Sequence, residues 1–176
     1  MMDFLSRMEG SGFSTWVRSS DSFFAYPFIL LLHTIGLGMV AGISAAIDLR
    51  ILGFAPQMPL RPMEQFFPFM WFGFWINAVS GTILLVSAAT TKAISGVFWI
   101  KMILIALAVI DLKLIKNKVF QDPLLDKRPV PMDGRLLALI SILLWLGAIT
   151  AGRLMAYIGA GRAESDISAL ISFWVG

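Results

Sequence analysis

Polar residues stand where apolar neighbours leave little room for them: His33, Asn77, Lys101, Asp111 and Arg153 each interrupt a long hydrophobic stretch. An ionisable group at the centre of a membrane span costs about 2.5–3.5 kcal/mol on insertion scales, so such positions carry information. Depth sorts them. At 1.5 Å per helical residue, His33 falls roughly 10 Å from the outer face, Lys101 roughly 12 Å and Arg153 roughly 8 Å. Asn77 falls a little deeper, near mid-span. Three cationic or proton-binding groups at one level repel one another in a low dielectric, and no carboxylate shares that depth. A haem b would balance them: its iron takes a neutral imidazole, and its propionates are met by Arg or Lys. His33 is then the metal ligand, Lys101 a second ligand or a propionate partner, Arg153 a propionate partner, and Asn77 a neutral companion. Gly36, on the His33 face, would leave room for a flat macrocycle. Other readings stay open: His33 as a polar packing residue or a proton or metal site, and Lys101 and Arg153 as side chains that snorkel outward. Asp48 and Asp111 fall near the opposite face, within reach of Arg50 and Lys113, which reads as structural ion pairing.

The elements that must position these groups follow from composition. Of 176 residues, 58% are hydrophobic and 14% charged, against about 45–50% and about 25% in soluble domains; the mean hydropathy is +0.82. The chain reads as an all-α integral membrane protein, a single four-helix transmembrane bundle. A soluble enzyme, a disordered chain and a nucleic-acid binder are excluded. Cysteine is absent, which removes disulfides, thiolate metal sites and covalent c-type haem attachment.

The spans are expected over about 26–47, 67–89, 93–115 and 136–158. Pro27 opens the first, and Asp48-Leu49-Arg50 closes it. Phe66, Phe67, Phe69, Trp71, Phe72, Phe74 and Trp75 crowd the entry to the second, like an aromatic belt. Pro56, Pro59 and Pro62 keep the linker 51–65 from being one long helix. The 1–2 and 3–4 connections carry Arg50, Arg61, Lys113, Lys116, Lys118, Lys127, Arg128 and Arg135, whereas the tails and the 2–3 connection carry Arg7, Arg18, Lys92 and Arg162. That asymmetry predicts that the first set of connections faces the cytoplasm and that both termini lie outside, which is the periplasm in the bacterial inner membrane that the resemblance given below implies. The net charge of +3 is thus a topology signal.

Residues 1–24 lack the basic start, apolar run and cleavage site of a signal peptide. Phe13, Trp16 and Val17 beside Arg18 suggest an interfacial helix over about 12–20, with a loosely ordered tail as the alternative. Ile167, Leu170, Ile171 and Trp174 suggest another over about 165–175. Small residues recur every four positions at Gly38, Gly42 and Ala46, and at Ala148, Gly152 and Ala156. Both stripes are expected to let helix backbones approach in a tight bundle.

One histidine in the first span and one lysine early in the third resemble the superfamily of HemJ-type protoporphyrinogen oxidases and CopD-type copper-resistance proteins. The stretches Tyr26-Pro27, Leu32-His33, Gly36-Leu37, Asp48-Leu49-Arg50-Ile51-Leu52-Gly53 and Phe98-Trp99-Ile100-Lys101 resemble bacterial four-helix inner-membrane proteins of that kind more closely. The resemblance covers roughly residues 15–158. It implies haem b at His33 and a functional role for Lys101. With a single histidine, a second axial ligand must be Lys, Met, water or a histidine of another subunit. Met39, Met102 and Met155 show no paired spacing for copper. Two functions stay open: a haem-binding electron-transfer protein, or a cofactor-free anchor or assembly subunit of a larger membrane complex. Either works in the lipid bilayer, as a homo-oligomer or with partner subunits.

Overall fold

The computed structural model describes residues 2–20, 22, 24–89 and 95–157. They form helices α1 (Met2–Glu9), α2 (Gly12–Ser19), α3 (Tyr26–Leu52), α4 (Phe67–Val86), α5 (Gly96–Ile115) and α6 (Met132–Tyr157). A 3₁₀ turn, Arg61–Phe66, leads into α4, and a wide π-type turn, Lys116–Phe120, extends α5. No strand occurs among the described residues. The expected segment 165–175 lies outside them.

Three helical stretches are long and apolar enough to cross a membrane: Tyr26–Leu52, Arg61–Val86 and Met132–Met155. Helix α5 has 20 residues, a sufficient length. Its Lys101, Asp111 and Lys113 fall within any 18-residue stretch of it, whereas the three charges of α6, Asp133, Arg135 and Arg153, lie toward its ends. The surface is apolar where a soluble protein would be charged. Phe69, Phe72 and Trp75 on α4, Trp99, Ile103, Leu107 and Ile110 on α5, and Leu136, Leu139, Leu143 and Leu146 on α6 are all exposed. Continuous outward stripes of this kind mark a lipid-facing exterior.

Helix α3 runs a turn past its expected end. It continues through Asp48-Leu49-Arg50 to Leu52 and stops at Gly53, whose φ of 111° only glycine adopts without strain. The Phe54 N–H then closes back on the Leu49 carbonyl at 3.0 Å. Helix α3 packs along α4 and α6, and α5 packs along α6, while α4 and α5 hardly touch. The bundle is therefore open on one side rather than uniformly tight.

It closes at the end that carries the two long connections. There Ile47, Ile51, Leu60, Met63, Phe67, Met70, Leu112, Ile115, Val119 and Phe120 form the main core, with Phe67 and Phe120 edge to face at 5.2 Å. Asp126 ties the connections together, its carboxylate accepting the Leu60 N–H at 2.6 Å and the Arg61 N–H at 2.9 Å. At the other end Val17 of α2 is buried against Ile29 and Leu84. Ser11 caps α2 by accepting the Ser14 N–H, and the Ser14 hydroxyl reaches the Val86 carbonyl at 3.4 Å. The N-terminal segment is thus a docked helix, not a loose tail.

The close approach of helices is not where the stripe of small residues placed it. Gly38, Gly42 and Ala46 are exposed, and nothing lies within 4 Å of a Cβ added at Gly38 or Gly42. The contact is made one face round, by Gly36 and Gly73. A Cβ at Gly36 would stand 2.7 Å from the Asn77 nitrogen and 2.8 Å from the Gly73 oxygen. Gly36 therefore admits the backbone of α4, and no macrocycle fits beside it. On α6, Ala148 is buried, Gly152 abuts the Lys101 side chain, and the Ala156 side chain lies outside the described set.

Candidate functional site

Where α4 and α5 diverge, a cleft of about 540 Å³ opens between them, backed by α3 and α6. His33 and Tyr26 of α3, Asn77 and Gly81 of α4, Lys101 and Met102 of α5, and Gly152 and Met155 of α6 all line it. Phe74, Phe98, Leu30 and Ile105 supply much of the remaining wall, so the lining is mainly apolar with a few convergent polar groups, the usual make-up of a ligand site.

The His33 ring is held in one orientation. Its Nδ1 lies 3.1 Å from the Asn77 carbonyl oxygen and 3.2 Å from the Ser80 hydroxyl. A carbonyl can only accept, and Ser80 already donates its proton to the Ile76 carbonyl at 2.6 Å. Nδ1 therefore donates, and the neutral ring carries its lone pair on Nε2. Asn77 completes the clasp by donating from Nδ2 to the His33 carbonyl at 2.8 Å. Gly81 makes room for the ring, since a Cβ there would stand 2.9 Å from His33 Cε1.

Lys101 faces the same cleft and lies along Gly152, where an added Cβ would meet its Nζ at 3.5 Å. Arg153 does not join them. It is exposed and lines no part of the cleft; the helix turn that presents Gly152 inward rotates its neighbour about 100° away. Of the expected quartet, the fold brings together His33, Asn77 and Lys101. Ser80 and Gly81 belong with them without having been singled out in the sequence, and Met102 and Met155, whose spacing suits no copper site, line the same cleft. Gly73, Asn77 and Gly81, spaced by four along α4, are the sequence signal that could have found the face receiving His33.

The expected inner ion pairs do not form. Arg50 donates to the carbonyls of Met58 and Pro56, and the Lys113 ammonium sits over the Trp71 ring, 5.9 Å from its centroid. The ion pair seen at the surface is instead Arg128–Asp122 at 2.7 Å. The Arg128 guanidinium, with the Leu124 N–H, holds the Asp122 carboxyl below the usual carboxylate range.

Among the described residues no group of three or more His, Cys, Asp or Glu could hold a metal ion. A copper or zinc centre built by the protein needs several such ligands. Haem iron arrives with four porphyrin nitrogens and needs one imidazole from the chain, which His33 can give.

Fold and site together define a helical membrane protein with a mainly apolar cleft that presents one imidazole and one amine. No family model, curated protein or solved structure matches the chain.

Proposed function

We propose that the cleft binds haem b and that the protein passes electrons between this group and a partner in a bacterial inner membrane. One observation carries the reading. The only histidine of the chain is fixed through Nδ1 to a backbone carbonyl on the wall of a cleft about 540 Å³ in volume. A second ring nitrogen bound to a carbonyl is the usual way a protein orients a metal-ligating imidazole and raises its basicity.

His33 would hold the iron through Nε2, and Asn77 and Ser80 keep its ring from turning. Lys101 would meet a propionate or stand as second ligand; Met102 and Met155 place thioethers on the same walls. Phe74, Phe98 and Leu30 exclude water. Bound haem supplies reversible one-electron chemistry. Arg153, being exposed, has no role in holding it. In the topology that suits this reading α5 also crosses the membrane, as the third of four spans, the Asp126-tied connections face the cytoplasm, and the termini and cleft opening lie on the periplasmic side.

The test is the visible spectrum of protein purified from membranes supplied with haemin. A Soret band that moves on reduction is expected in the wild type and lost or broadened in His33→Ala. A protein with no Soret absorbance would instead be a cofactor-free membrane subunit.

A further inference from the structure

Below the cleft, toward the closed end of the bundle, two aspartates are buried in its interior. Asp48 of α3 is 1% exposed and Asp111 of α5 is 5% exposed. Among the described residues neither has a cationic partner: Arg50, two residues on from Asp48, reaches loop carbonyls, and Lys113, two on from Asp111, lies on Trp71. The charged groups of the surrounding elements face elsewhere as well. Lys116 sits over Phe67. Helix α4 carries no titratable residue, and Asp133, Arg135 and Arg153 of α6 are exposed. Glu64 of the 3₁₀ turn is exposed too.

What does face the pair is oxygen. Ser44 donates to Asp48 Oδ2 at 3.3 Å, and the Ser44 and Ser141 hydroxyls are 3.2 Å apart. Ser141 is thus linked to Asp48 through Ser44, and Asp111 is buried beside Leu112, which shares one core with the Ile47 and Ile51 that flank Asp48. Asp48 Oδ1 and Asp111 Oδ2 are buried with no hydrogen-bond partner among the described residues. The indole Nε1 of Trp145, one turn along α6 from Ser141, is in the same condition. Two carboxylates buried in one apolar core cannot both stay ionised there without a positive charge to balance them. The donor set, two carboxylates and two hydroxyls from three helices, is all hard oxygen, which does not suit copper or zinc, and its four groups fall short of the roughly six to eight oxygens that Ca²⁺ or Mg²⁺ gathers, which leaves a proton or a small alkali ion.

We propose that Asp48, Asp111, Ser44 and Ser141 form a buried site for one monovalent cation, a proton or Na⁺. This site is separate from the His33 cleft: Asp48 stands 15 residues further along α3, roughly 22 Å at helical rise. Haem binding and cation binding can therefore fail independently.

The experiment uses the intact protein in detergent micelles, with infrared spectra at neutral pH and thermal unfolding in NaCl against choline chloride at equal ionic strength. With a bound proton, the infrared spectrum shows the carbonyl stretch of a protonated acid, and Asp48→Asn or Asp111→Asn removes it. With bound Na⁺, that band is absent. Tm then rises in NaCl relative to choline chloride, and neither variant shows the rise. Both signals are read first on the wild-type chain, and Ser141→Ala, which keeps both carboxylates, should shift the band or weaken the Na⁺ response. A wild type with neither signal, or with a signal that persists in both aspartate variants, overturns the proposal.

Discussion

At the residue scale, the level of a residue along the bundle was legible in the sequence and its direction was not. Counting residues from the membrane face placed His33, Lys101 and Arg153 at one level, and the first two do share a cleft. Arg153 has the right depth and the wrong azimuth, because one helical step turns a side chain by about 100°. The same geometry explains the missing inner ion pairs. Asp48 and Arg50, like Asp111 and Lys113, are two residues apart on continuous helices, and residues at that spacing do not face each other. Reading Asp48-Leu49-Arg50 as a helix end hid this. Two predictions belong here. Lys101→Met should shift the haem spectrum if the amine is a ligand and weaken haem retention if it meets a propionate, whereas Arg153→Ala should leave both unchanged. At the surface, the depressed Asp122 carboxyl gives a stabilisation that is present at neutral pH and lost as pH falls through and below the usual carboxylate range. The pair is exposed, so the effect is small. Asp122→Asn should lower the neutral-pH Tm slightly and leave Tm below the carboxylate range unchanged, which flattens the acid limb of a Tm-against-pH curve. An unaltered acid limb would remove the pair's role.

At the element scale, helix existence was legible from hydropathy, and helix contact was not. Two stripes on α3 share four-residue spacing: Gly38-Gly42-Ala46 and Gly36-Val40-Ser44-Asp48. Spacing alone favours the first, which contains more small residues. The second is the buried one, because Gly36 meets Gly73 and Ser44 links Asp48 to Ser141. Gly36→Ala should destabilise the protein by about 1–3 kcal/mol or more, since the added methyl meets backbone that cannot rotate away. Gly38→Ala and Gly42→Ala should be neutral, or stabilise by about 0.5–1 kcal/mol each through helix propensity. Thermal unfolding in detergent checks both. Equal effects at Gly36 and Gly38 would refute the assigned contact face.

At the scale of the whole molecule, composition announced a membrane protein, and the apolar exterior bears this out. The open side of the bundle was not legible, since it arises from the divergence of α4 and α5, and no local pattern reports the distance between two helices. The connections 53–66 and 116–131 share one end, tied by Asp126. Reporter fusions after Asp122 and after Phe54 should therefore give the same reading, cytoplasmic in the proposed topology; opposite readings would break the arrangement. The claim on which the account turns is that the cleft at that bundle's open end holds haem through His33. Its most direct measurement is the reduced-minus-oxidised absorption spectrum of wild type and His33→Ala, purified side by side from haemin-supplied membranes. The account predicts a Soret difference band in the wild type that His33→Ala loses while still folding. A wild-type protein without that band, or a band unchanged in His33→Ala, would contradict it.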